Sequence, residues 1–138
     1  MILFINTSKT DLIQVKLIKD DQIIGQVENT EEYKQSELLL GMIDKLYKDT
    51  GYKLQDTRFI SVVTGPGAFS ALRLGVATAN TLAWSLKIPI IELNVAEVEN
   101  NEILIDLINQ RIKESKNKEF IPLSPKYGKE PNITKQKI

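Results

Sequence analysis

Residues 62 to 79 constrain this chain more than any other stretch. Val62-Val63-Thr64 reads as the end of a strand, Gly65-Pro66-Gly67 as a tight turn, and Ala68 to Ala79 as the start of a helix that is almost wholly apolar. Arg73 is the single charged side chain between Thr64 and Leu86. A helix with so little polar surface has to be covered over most of its circumference. Its small residues say what can cover it. Ala71, Gly75, Ala79 and Ala83 recur at every fourth position, a smooth ridge along which another backbone can approach closely.

Composition narrows what such a chain can do. With 138 residues, 42% hydrophobic and 26% charged, it has enough material for one domain with a real core and too little for two. The formal net charge is zero, so composition supplies no general attraction to nucleic acid, and any RNA would be reached through a partner. Cysteine and histidine are both absent. That removes disulfides, thiolate nucleophiles, the commonest metal ligand and the commonest general base. Met1 to Ile5 is too short for a signal-peptide core and has no basic region before it. No apolar run approaches the length of a membrane span, so a cytoplasmic protein is expected, with no cofactor of its own.

Met1 to Ile5 reads as a strand buried on both faces. Leu12 to Ile18 and Gln22 to Val27, joined at Asp20-Asp21, complete an antiparallel meander. Helical spacing then begins: Leu39, Met42, Ile43 and Leu46 form the stripe of a helix from Gln35 to Tyr47, with Gly51 where it should stop. Phe59 to Val63 is a fourth strand, Ser70 to Leu86 the apolar helix, and Ile88 to Leu93 a fifth strand. From Val95 to Glu114 the spacing is helical again. Asn100-Asn101 is placed to kink or split it, and Ile103 to Ile105 also suits a strand. The fold class is therefore α/β, with a three-strand meander and then αβαβα on a mixed five-stranded sheet. By element order this is an actin-like or ribonuclease-H-like lobe over residues 1 to 115, followed by an extended tail from 116 to 138 that is ordered only where it docks.

Two readings compete at the Gly-Pro-Gly turn. Glycines before a helix can cradle a phosphate, but no Gly-Lys-Ser/Thr follows and the dinucleotide spacing is absent. A structural turn made by Gly65, Pro66 and Gly67 is favoured, with Ser70 as the helix cap rather than a nucleophile, since no histidine exists to activate it. Asn6-Thr7-Ser8 closes the first strand where enzymes of this architecture place a metal-binding aspartate, and a neutral amide is a poor magnesium ligand. Glu31, Glu32, Glu37 and Asp44 read as a solvated helix entrance. The strongest positive clue is the small-residue helix, because a large apolar patch on a soluble domain usually has a partner. The expected partner surface comprises Leu39, Met42, Ile43 and Leu46 on the first helix and Phe69, Ala71, Arg73, Gly75, Ala79 and Ala83 on the second. Ala77, Asn80 and Trp84 lie with Arg73 on its opposite face.

These residues also resemble a known family. Gly65-Pro66-Gly67-Ala68-Phe69-Ser70-Ala71-Leu72-Arg73-Leu74-Gly75 is similar to the Gly-Pro-Gly-Ser-Phe-Thr-Gly-Leu-Arg-Ile-Gly motif of the TsaB (YeaZ) family. Ile5-Asn6-Thr7-Ser8 resembles its Ile-Asp-Thr-Ser, Gln35-Ser36-Glu37-Leu38-Leu39 its His-Ser-Glu-Leu-Leu, and Pro125 to Pro131 its closing Pro-x-Tyr-x-Arg-x-Pro. The resemblance implies a non-catalytic subunit that pairs with a TsaD-like subunit through its two first-lobe helices. A TsaE-like ATPase is the third component, and the complex makes threonylcarbamoyladenosine on ANN-decoding tRNAs. The tRNA would be met only through that complex. Asn6 and Gln35 depart from the family's aspartate and histidine. Between Leu93 and Pro125 there is room for one helix where the family has a second lobe, so the chain reads as a shortened member. A nucleotide-binding enzyme or glycoprotease-like peptidase of the actin-like superfamily, and a homodimer using the same helices, are the alternatives.

Overall fold

A computed structural model describes residues 1–115 and 120–126. Strand β1 (Ile2–Asn6) is central and buried along its whole length. It pairs antiparallel with β2 (Ile13–Lys19), which pairs antiparallel with β3 (Gln22–Asn29). On its other side β1 runs parallel to β4 (Phe59–Gly65), and β4 runs parallel to β5 (Ile90–Asn94). The five strands lie in the order β3-β2-β1-β4-β5. The β2–β3 hairpin turns on Asp20 and Asp21, both with positive φ. Short polar side chains tolerate that conformation, and its twist matches the flanking strands.

Alternation along the strands builds two apolar layers. Leu3 and Ile5 of β1, Ile13, Val15 and Leu17 of β2, and Ile60 and Val62 of β4 face α1 (Gln35–Thr50) and α2 (Phe69–Leu86). Ile2, Phe4, Ile18, Val63 and Leu93 face the other way, onto Leu104 and Ile108 of α3 (Asn101–Glu114). The expected fold class and element order are thus present. The Val95-to-Glu114 segment is split at Asn100, whose side chain caps α3 by accepting from the N–H groups of Glu102 and Ile103. A short 3-10 turn, Val95–Val98, precedes it. Ile103 to Ile105 is helix, not strand.

Two local expectations are corrected. Ser70 does not cap α2: the helix begins at Phe69 with Ala68 in the cap position, and no side chain bonds there. The entry is fixed from outside the segment, because Ala68 N–H donates to the Ser8 carbonyl at 2.9 Å. Residues 120–126 form no helix or strand and are tied to α2 at Leu123 and to β4 at Lys126. Asn80 donates to the Leu123 carbonyl and accepts from its N–H, at 2.8 and 2.9 Å, and Phe120 and Leu123 pack against the α1–α2 core. Tyr127 to Pro131 of the closing motif lie outside the described residues.

Candidate functional site

The Gly-Pro-Gly turn is where β1, β4, α2 and residues 120–126 converge. Gly65 ends β4 at φ 139°, and a Cβ there would strike the carbonyl of Lys126. A Cβ on Gly67 would strike the carbonyl of Ser8, and one on Gly75 the Thr7 hydroxyl. That hydroxyl donates to the Ala71 carbonyl at 2.6 Å, so the end of β1 is bolted to the first turns of α2. The Gly65–Pro66 peptide is cis. The Ser8 and Lys126 carbonyls and the Thr7 hydroxyl thus crowd the glycines of this segment, while Thr64, Gly65 and Pro66 also line a cleft beside β5.

The small-residue ridge faces inward. Ala71, Gly75, Ala79 and Ala83 are all buried, and Ala79 and Ala83 belong to the core under α1 and α2. Leu39, Met42, Ile43 and Leu46 of α1 are buried in the same core. These eight positions were expected to form a partner surface. They instead hold the helices to their own sheet, because small side chains let α2 sit close on β1 and β4.

Of the expected surface, Phe69 and Arg73 are exposed, with the Arg73 guanidinium 5.4 Å from the centre of the Phe69 ring. A shallow hollow of about 350 Å³ beside them is lined by Ser70, Arg73, Leu74 and Ala77. The large apolar side chains left in solvent on these helices are Leu40 of α1, 66% exposed, and Phe69 and Trp84 of α2, 43% and 67% exposed. Leu40 neighbours the buried stripe of α1 in sequence. Its place three residues before Ile43 hides the fact that it points away from the core.

Gln35, standing where the resembling motif has histidine, is buried and donates from Nε2 to the carbonyls of Lys9 and Thr10 at 2.8 and 2.7 Å. It ties the start of α1 to the β1–β2 turn. Asn6 accepts from Ser8 N–H and donates to Gln14, so its amide is engaged in holding that turn.

A second polar cluster escaped the sequence reading. Beside β5, a cleft of about 780 Å³ carries Glu92, Glu97, Arg111 and Lys126. Arg111 forms a two-pronged pair with Glu97 and donates to the Glu92 carbonyl. Glu92 accepts from Thr64 Oγ1 and pairs with Lys126. Burial alone would raise the Glu92 carboxyl, but those bonds and the nearby Arg111 outweigh it and hold it below its ordinary value. Hydrogen bonding from Arg111 lowers Glu97 likewise. These four charges are thus satisfied by one another, with Glu114 on the same wall. Their spacing in sequence gave no signal, since Lys126 is 34 residues from Glu92.

An α/β lobe with this strand order and paired helices on one face is of the actin-like, ribonuclease-H-like class. The protein-family model described as "TsaD: tRNA N6-adenosine threonylcarbamoyltransferase" matches residues 22–111. The "tRNA threonylcarbamoyladenosine biosynthesis protein TsaB" of Bacillus subtilis is 36% identical over 89 residues, 64% of this chain and 38% of that protein. Its counterpart from Buchnera aphidicola of Acyrthosiphon pisum is 30% identical over 91 residues, 66% of this chain and 41% of that protein. The solved structure "YeaZ from Pseudomonas aeruginosa" superimposes with TM-score 0.62 at 22% identity, over 83% of this chain and 49% of that one. The chain belongs to the TsaB/YeaZ family. It spans less than half the length of these relatives. Among the described residues, no helix is long and apolar enough to cross a membrane.

Proposed function

We propose that this lobe is a non-catalytic docking subunit in threonylcarbamoyladenosine biosynthesis. It binds a TsaD-type transferase through the outward faces of α1 and α2. The observation that carries this reading is the exposure of Leu40, Phe69 and Trp84 on those two helices. Water-exposed apolar side chains of that size on a helical layer are what a partner covers, and aromatic residues anchor such interfaces. Arg73, stacked on Phe69, adds a charge at the same surface. The non-catalytic reading is supported by the absence of histidine from the sequence and by the engagement of Asn6 in holding its own turn. The TsaE-type ATPase and the tRNA are then met within the assembled complex.

Calorimetric titration of the purified chain with the TsaD-type subunit of the same organism tests this. Micromolar or tighter binding is expected, with Leu40→Glu and Trp84→Glu each weakening it at least about tenfold while leaving the melting temperature unchanged. Absence of a complex overturns the proposal, as would variants that bind like the wild type. Self-association through the same face would appear as a dimer mass for the chain alone that both substitutions abolish.

A further inference from the structure

The opposite face of the sheet holds a cavity that docking through α1 and α2 leaves unused. It measures about 360 Å³ and lies between the β1–β2 turn and the start of α3, lined by Asn6, Ser8, Lys9, Lys16, Glu99 and Asn101 among others. Lys16 is the unusual member. It sits in the middle of β2, between Val15 and Leu17, and is only 6% exposed. Its ammonium donates to Asn101 Oδ1 at 2.7 Å and lies 5.6 Å from the centre of the Phe4 ring. Among the described residues no carboxylate is within ion-pair distance of it.

An ammonium has three donors, and one neutral amide oxygen occupies a single one of them. A buried charge without a counter-charge is costly, and burial accordingly pushes the Lys16 ammonium below its ordinary value against a small opposing effect of Glu28. Ser8 contributes a second leftover donor to the wall of the same cavity. Its hydroxyl oxygen is buried with no hydrogen-bond partner among the described residues. The charged lining side chains are two lysines and one glutamate, a net single positive charge.

We propose that this cavity binds a small oxyanion, held by the Lys16 ammonium, with Lys9 at its exposed edge drawing the anion in. A charge-assisted bond to an oxyanion would complete the donors that Asn101 leaves over. The single net charge suits a phosphate or carboxylate group rather than a polyanion, and Glu99 opposes further negative charge.

Amide-resolved NMR titration of the full chain with inorganic phosphate, and separately with acetate, tests this at constant ionic strength. Saturable shifts centred on Ser8, Lys9, Lys16 and Asn101 are expected with at least one of the two anions, and which one responds identifies the oxyanion class. Lys16→Met should weaken the response at least about tenfold. Should that variant fold poorly, Asn101→Asp serves instead. It changes an exposed residue in the first turn of α3, where an acid is tolerated, and supplies Lys16 with an internal counter-charge that should likewise abolish binding. No saturable shift with either anion overturns the proposal, and so does a wild-type response in Asn101→Asp.

Discussion

Gly75 carries the join between the first strand and the second helix. The Thr7 hydroxyl occupies the place a Cβ would take, while donating to Ala71 one turn earlier. Gly75→Leu should therefore push β1 and α2 apart and strand that hydroxyl. A loss of about 3 kcal/mol is expected, combining overpacking with a lost buried hydrogen bond; the midpoint of chemical denaturation measures it. An unchanged midpoint would mean that this contact does not hold the two elements together. Sequence alone marks Gly75 as special through its four-residue spacing with the alanines. It does not say whether the smallness serves a partner or this chain's own strand, because the answer lies in Thr7, far away in the sequence. Lys16 and Gln35 are similar cases. Each is legible as a polar residue at an apolar or helix-start position, and each acquires its role only from backbone or side chains brought in from elsewhere.

α2 shows the same limit on a larger scale. Its boundaries follow from local pattern to within a residue, Ser70–Leu86 expected against Phe69–Leu86 observed. Its orientation does not. A helix that is apolar nearly all round offers no polar face to turn toward water, so the sheet below and residues 120–126 beside it settle which residues are hidden. That segment, with proline-spaced apolar residues, reads from sequence only as a tail. Folded, it is latched by the paired bonds between Asn80 and Leu123 and by Lys126 N–H on the Thr64 carbonyl. Asn80→Ala removes two of those bonds at once. A loss of about 1–2 kcal/mol is expected, with amide exchange at residues 120–126 quickening well before that of the strands. Equal protection in the variant and the wild type would show that the apolar contacts of Phe120 and Leu123 suffice.

At the scale of the whole molecule, the cleft beside β5 contributes a pH dependence on the acidic side of the stability profile. Glu92 and Glu97 are both held below the ordinary carboxylate value in the folded protein, Glu97 chiefly by Arg111. For a carboxyl depressed by folding, the unfolded chain binds the proton more readily. The stabilisation is therefore complete above the ordinary carboxylate value and disappears as pH falls through the depressed one. Melting temperatures measured from neutral pH downward should fall below the ordinary carboxylate range, and Glu97→Gln should make that fall shallower. An identical acid profile in the variant would mean that the Arg111–Glu97 pair adds no net stability, the common fate of partly exposed pairs.

The sequence by itself determined the order of elements, the mixed five-stranded sheet, the two-helix layer and the family. These rest on short-range signals, namely strand alternation, helical spacing, turn residues and a compact motif, all of which are read within some twenty neighbouring residues. The tertiary structure alone decided which residues of the motif are hidden and which are left in solvent. It turned Ala71, Gly75, Ala79 and Ala83 into core, left Leu40, Phe69 and Trp84 outside, and placed Lys16 and Ser8 in one cavity. Burial of an all-apolar helix and pairing of distant polar groups depend on which surfaces meet, and local sequence does not encode that.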